Sequence, residues 1–131
     1  MTIRIAFTAV CVLLIVGCST QSSERARALS PDGVSLAILD WEGYGGGAGS
    51  TIERLYLIEA HGDGNRGKPL LVASKCGDMT MAWKDAHTLQ INYSSICHIS
   101  QFDNKWWSKS ALRNLGSAES GVEIILSRNT Q

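Results

Sequence analysis

The chain has 131 residues, of which 44% are hydrophobic, and its 12 Lys and Arg residues balance 12 Asp and Glu residues. This length suffices for one small domain and not for two. The neutral balance, without a basic cluster, argues against nucleic acid as a partner, and no polybasic patch is present to bind lipid headgroups.

The first 18 residues have the proportions of an export signal. Arg4 precedes an apolar run from Ile5 to Val16, and small or branched residues follow. A cationic start and an apolar run of about a dozen residues are typical of a signal peptide. A membrane-spanning helix needs about 20 apolar residues, so the pattern predicts a cleaved signal and not a permanent anchor helix.

The signal ends in Ile15-Val16-Gly17-Cys18, which resembles the lipobox of bacterial lipoproteins. The resemblance implies that residues 1–17 are removed and that Cys18 receives a thioether-linked diacylglycerol and usually a third, amide-linked acyl chain. Two or three chains hold a protein firmly on a membrane. Ser19 stands where an Asp would favour inner-membrane retention in many Gram-negative bacteria, so the resemblance points to the outer membrane, with the domain facing the periplasm. The alternative is an ordinary secretory signal that ends in Cys.

Two cysteines remain for pairing in the mature chain. Cys11 leaves with the signal and Cys18 carries lipid, which leaves Cys76 and Cys97. Two thiols in an oxidising compartment predict one disulfide. A redox-active or metal-binding pair is the alternative, but no C-x-x-C spacing supports it.

The rest of the chain predicts a short spacer and one β-rich domain. Residues 18–28 are polar without apolar periodicity and predict a flexible tether, and residues 29–131 form the domain. Ser30-Pro31-Asp32-Gly33 predicts a β-turn. Short strands with hairpin spacing are predicted at 34–41, 52–60, 69–74, 79–83, 88–93, 96–102 and 121–127, although 52–60 also fits a helix.

Residues 104–115 are the one convincing helix candidate. Trp107, Ala111 and Leu115 would share a helix face, and Gly116 lies where a C-terminal cap belongs. The predicted fold class is therefore mainly β, a single small antiparallel meander sheet, with a helix near residues 104–115 as its one candidate for covering a face.

A second resemblance covers residues 29–95. Leu29-Ser-Pro-Asp-Gly33, a strand containing Leu55-Tyr-Leu-Ile58, a Gly-Asp-Gly turn and Met81-Ala-Trp83-Lys-Asp85 together resemble one blade of the repeat in Tol-associated β-propellers. The second Ser-Pro-Asp-Gly turn of that repeat is replaced by residues 84–86. The same order resembles small, uncharacterised bacterial lipoproteins. A propeller needs four to eight blades, so a closed propeller is not expected, and the resemblance implies a β fold without an activity.

No catalytic residue, metal ligand or cofactor is predicted. The glycine-rich loop of residues 43–50 lacks both a following helix and a Gly-Lys-Ser/Thr motif, so a flexible hairpin loop is favoured over a phosphate site. His61, His87 and His98 are scattered singly. The rival hypothesis is an envelope hydrolase whose site is built from scattered His, Asp and Ser residues around His61 or His98.

Trp106 and Trp107 are the candidate partner contact. Adjacent indoles on a helix point about 100° apart, so one is expected to face outward, towards an envelope protein or a glycan. The favoured interpretation, however, is that both rings have a structural role, with Trp107 packed on the sheet and Trp106 across the helix edge. The sequence therefore predicts a membrane-anchored envelope lipoprotein that is a non-catalytic binding or assembly accessory.

Overall fold

A computed structural model describes residues 21–44, 50–76, 78–109, 112 and 121–129. Within these ranges, no helix is long and apolar enough to cross a membrane. The strands are β1 Gln21–Leu29, β2 Ser35–Tyr44, β3 Ser50–Glu59, β4 Leu71–Ser74, β5 Thr80–Asp85, β6 Thr88–Tyr93, β7 His98–Phe102, β8 Lys105–Trp107 and β9 Gly121–Arg128.

The strands form two sheets, and neither is closed. The first has the order β1-β2-β3-β4-β7 and is antiparallel, whereas the second has the order β5-β6-β9-β8 and includes the parallel pair β6 and β9. The mainly β prediction is confirmed, but the strands do not make a single meander. The chain leaves the first sheet directly after β4, where Lys75 adopts a φ of 60°, a left-handed conformation that redirects the backbone.

β1 occupies most of the segment predicted to be a flexible tether. Ala26 and Ala28 pack against the core at a period of two residues, which is the side-chain repeat of a strand. On the outer face, Arg27 donates to both carboxylate oxygens of Glu24, at 2.8 and 3.0 Å. The tether prediction was wrong for this segment because two alanines provide only a weak apolar signal, although both pack against the core.

The start of the predicted helix is a strand instead. In β8, Trp106 packs against the core while Lys105 and Trp107 are exposed, so the side chains alternate with the two-residue period of a strand. The Leu112 N–H donates to the Ser108 C=O at 3.1 Å. Residues 110, 111 and 113–120 lie outside the described ranges, and five of them (110, 111 and 113–115) belong to the predicted covering helix.

The inner faces of the two sheets share one core. Fully buried leucines come from β2, β3 and β4, and they meet buried aliphatic side chains of β6 and β9: Leu39, Leu55, Leu71, Leu89, Ile91, Val122 and Ile124. Burial of each such side chain contributes about 1.5–3 kcal/mol. The Trp83 Nε1 of β5 donates to the Ala28 C=O of β1 at 3.0 Å, which joins the two sheets along one edge.

The predicted turn at residues 30–33 connects β1 to β2. The Gly33 N–H donates to the Ser30 C=O at 2.9 Å, and Gly33 has a φ of 73°. The buried Ser30 hydroxyl donates to Asp32 Oδ1 at 2.5 Å and accepts the Ser35 N–H at 2.9 Å. This hydroxyl, followed by the Val34 N–H, holds the pKa of Asp32 below its ordinary value. The prediction of a tight turn is confirmed.

Cys76 and Cys97 form the predicted disulfide, with their Cα atoms 4.5 Å apart. Cys76 is fully buried just after β4, and Cys97 precedes β7, the strand that pairs with β4. The residues between the two cysteines include β5 and β6 of the second sheet. The disulfide therefore closes a loop that leaves the first sheet, contributes two strands to the second, and returns.

Replacing both cysteines should lower the stability of the domain. Closing a loop of this size contributes about 3 kcal/mol in the chain-entropy model, so we expect the C76A/C97A variant to lose roughly that amount of unfolding free energy in urea titrations. Reductant should destabilise the wild type and leave the double variant unchanged. Equal unfolding midpoints for oxidised and reduced wild type would contradict this expectation.

Candidate functional site

Trp107 presents an exposed indole at the end of β8. Its cross-strand partner is Gly121 of β9, and the side chain is 42% exposed. A Cβ placed on Gly121 would lie 2.8 Å from the Trp107 ring, so the ring rests on glycine backbone. An aromatic side chain often covers a glycine on a neighbouring strand in this way. The contact holds the six-membered ring of the indole against β9, while much of the side chain stays exposed.

Trp106 has the opposite orientation. It lies opposite the buried Val122 in the ladder and packs against the core. The prediction that one indole of the pair faces outward agrees with this arrangement, but strand alternation, and not a helix, separates the two rings. The favoured interpretation assigned the inward position to Trp107 and was wrong, because the structure gives that position to Trp106.

A hollow of about 560 Å³ opens beside the exposed indole, and we call it the larger hollow. Its floor contains a row of side chains across three strands, because Glu123 of β9 lies opposite both Lys105 of β8 and Thr88 of β6. The Glu123 N–H donates to the His87 C=O at 2.8 Å, which extends the ladder into the turn before β6. The complete lining is His87, Thr88, Lys105, Trp107, Gly121, Val122 and Glu123.

The smaller hollow, of about 290 Å³, lies on another side of Trp107 and also includes Trp106 in its lining. The turn of residues 62–68 forms much of its wall. In that turn the Asn65 N–H donates to Asp63 Oδ1 at 3.0 Å, and Lys109 Nζ lies 3.6 Å from Asp63 Oδ2. The Asn65 N–H, followed by the Lys109 charge, keeps the pKa of Asp63 below its ordinary value. Trp107 is thus a ridge that contributes to both hollows, and the smaller hollow also has apolar lining from Leu57, Leu70 and Trp106.

Arg66 attaches this turn to the first sheet. Its guanidinium pairs with Asp40 of β2 and, at 3.2 Å, with Glu24 of β1. It also lies 5.6 Å from the centre of the Tyr56 ring, within the range of a cation–π contact. The wall of the smaller hollow is therefore positioned by three strands of the first sheet.

The three histidines lie in different parts of the fold. His61 follows β3, His87 lies between β5 and β6, and His98 begins β7. Of these, His87 lines the larger hollow, while His61 and His98 line neither hollow. Among the residues that the structure describes, no group of three or more His, Cys, Asp or Glu side chains could hold a metal ion. Cys18 and most of the glycine-rich loop lie outside those residues.

Glu53 is a fully buried carboxylate on the inner face of β3. Arg25 of β1 donates to its Oε1 at 2.5 Å, reaching past β2. Its Oε2 has no hydrogen-bond partner within the described ranges. Burial raises the pKa of Glu53 from its ordinary value of 4.5 to about 7, with Asp78 adding to the increase and Arg25 opposing it. Sequence analysis missed this group, although Glu53 shares the period of Leu55 and Leu57.

Comparisons of the chain with protein-family models, with curated proteins and with solved structures found no match. The candidate site is therefore defined by geometry. It consists of the exposed Trp107 ridge, the two hollows beside it, and the row formed by Lys105, Glu123 and Thr88.

Glu53 should make the domain less stable as the pH rises from about 4.5 to 7. The folded state holds its proton more tightly than the unfolded state, so stability falls across this window and levels off above it. With about 1.4 kcal/mol per pKa unit, the decline is roughly 3 kcal/mol. We expect E53Q to remove most of it in urea unfolding measured at pH 5 and pH 8.

E24Q is the matched control for this measurement. The hydrogen bond from Arg27 keeps the pKa of Glu24 below its ordinary value. The contribution of Glu24 to stability therefore changes at pH values below the measured range. E24Q should retain the wild-type decline between pH 5 and pH 8. A decline of the same size in E53Q would show that another group causes it.

Proposed function

We propose that this protein is a lipid-anchored component of the bacterial envelope and acts there as a non-catalytic binding or assembly accessory. The exposed Trp107 ridge between two hollows is the observation that supports this function. A large, rigid aromatic side chain in a concave site is the kind of group that contributes most to binding energy.

The proposed localisation rests on the N-terminal sequence. Ile15-Val16-Gly17-Cys18 has the order of a lipobox, and acyl chains on Cys18 would hold the domain at the outer membrane, on its periplasmic side. A disulfide is typical of proteins that fold in an oxidising compartment such as the periplasm, and the pair Cys76–Cys97 is consistent with that localisation.

Intact mass spectrometry of protein purified from membranes tests the proposed lipid anchor and localisation. We expect a species that begins at Cys18 and is heavier by its acyl chains, with two thiols that alkylate only after reduction. A chain without acyl groups, with two thiols that alkylate without reductant, would contradict both the anchor and the oxidising compartment.

Sedimentation with the insoluble envelope fraction tests the binding face. The detergent-solubilised wild type should sediment with envelope material from cells that lack the protein, and W107A should bind at least about fivefold less, the effect of about 1 kcal/mol. I96A is the matched control, because Ile96 is 73% exposed in a loop away from both hollows. Equal sedimentation of W107A and I96A would exclude the Trp107 face as the binding site.

A further inference from the structure

We propose that the Trp107 ridge and its two hollows bind an uncharged oligosaccharide chain. This inference rests on the proposed function, because it names the class of ligand for the same face. It is carried by four features of the site: a fixed indole, a row of mixed hydrogen-bonding groups, balanced charge, and a hollow on each of two sides of the ring.

The indole provides a flat apolar platform. The face of an aromatic ring is electron-rich and attracts the positive edges of other groups, and the axial C–H groups of a sugar ring form such an edge. Because Trp107 rests on Gly121, its orientation is set before a ligand arrives. Preorganised side chains lose little entropy when they bind, which favours a ligand that stacks on one defined plane.

The row beside the platform matches hydroxyl groups. Lys105 can donate and Glu123 can accept, and the Thr88 hydroxyl, which hydrogen-bonds to Asp85, can still accept. These side chains lie on adjacent strands, which are about 4.8 Å apart, a spacing comparable to the width of a pyranose ring. A hydroxyl-rich ligand that lies across β8, β9 and β6 would therefore meet a donor on β8 and acceptors on β9 and β6.

The charges of the site favour a neutral ligand. Lys105 is directly opposite Glu123 in the larger hollow, and Lys109 lies 3.6 Å from Asp63 at the smaller one. The other charged residues of the smaller hollow are Arg66, which pairs with Asp40 and Glu24, and Glu59 and Lys68, which have opposite signs. Neighbouring opposite charges leave little net field to attract an anion or a cation. A peptide that added a strand to the sheet edge would need a longer partner than β8, which has three residues.

The position of the ring favours a chain over a single sugar. Trp107 contributes to both hollows, so one unit stacked on the indole would have neighbours in the larger and the smaller hollow. Together the hollows reach the size range of small-ligand sites, about 300–1,000 Å³.

The test is an NMR titration of the full lipidated protein, labelled with ¹⁵N-tryptophan, in a detergent without a sugar headgroup. The probes are tetrasaccharides of N-acetylglucosamine, of β-linked glucose and of α-linked glucose, with tetragalacturonate as the anionic comparison. The Trp107 indole signal is identified by its absence in W107A, and I96A serves as the matched control.

We expect a saturable shift of the Trp107 indole N–H with at least one neutral probe. G121A should weaken that binding about tenfold, equivalent to about 1.4 kcal/mol, because the added Cβ would displace the Trp107 ring. W107A should show no saturable shift of any remaining indole signal. I96A should bind the probe as tightly as the wild type does. Unfolding midpoints of W107A and G121A establish that both variants are folded.

Two outcomes overturn the inference, and they are distinguishable from failure of the proposed function. Either no neutral probe causes a saturable shift up to about 10 mM, a limit that includes millimolar affinity, or tetragalacturonate binds more tightly than every neutral probe. If W107A still loses sedimentation with envelope material in the first case, the face binds another class of partner and the proposed function stands. If sedimentation is also independent of Trp107, both proposals fail.

Discussion

The uninterrupted pairing of β2 with β3 determines which side chains enter the core. The two strands pair without a shift from Ser35 opposite Glu59 to Tyr44 opposite Ser50. Side chains of a strand alternate between faces, so a shift of one residue would expose every buried leucine of β3. The same alternation that buries Leu55 and Leu57 also buries Glu53, and the charge of Glu53 then requires a partner on the inner face.

That requirement makes β1 more than an edge strand. Arg25 lies at the irregularity in the pairing of β1 with β2, and a bulge of this kind redirects a side chain. From there its guanidinium reaches Glu53 across β2. Removing one partner of a buried ion pair leaves the other charge unsatisfied and is strongly destabilising. This ion pair thus couples β1 to the core, in addition to the packing of Ala26 and Ala28.

Much of the fold could be predicted from local patterns. Alternating apolar residues in 88–93 located β6 with its observed bounds, and the turn residues 30–33 and the cysteine count were sufficient for the β1–β2 connection and the disulfide. Sequence patterns failed where the signal was weak or ambiguous. The alanines of β1 are small, and the i, i+4 spacing that begins at Trp107 resembles a helix although Lys105–Trp107 pairs with β9.

The candidate site could be predicted only in part. The paired tryptophans indicated that one ring would face outward, and this holds for Trp107. Lys105, Glu123 and Thr88 become neighbours because β9 lies between β8 and β6 in the second sheet. β9 is antiparallel to β8 and parallel to β6. No local spacing encodes that arrangement, since it depends on how strands distant in sequence complete the second sheet.

The position at which β1 begins limits how far from the membrane the two hollows can bind a ligand. Under the proposed lipidation of Cys18, three peptide units separate the acylated residue from Gln21, and a fully extended chain covers about 11 Å over that distance. A ten-residue spacer would let the domain search a wide volume of the periplasm. With so short a link, the effective concentration of the domain is high only close to the bilayer. A ligand of the hollows must therefore be fixed at the membrane surface or extend down to it.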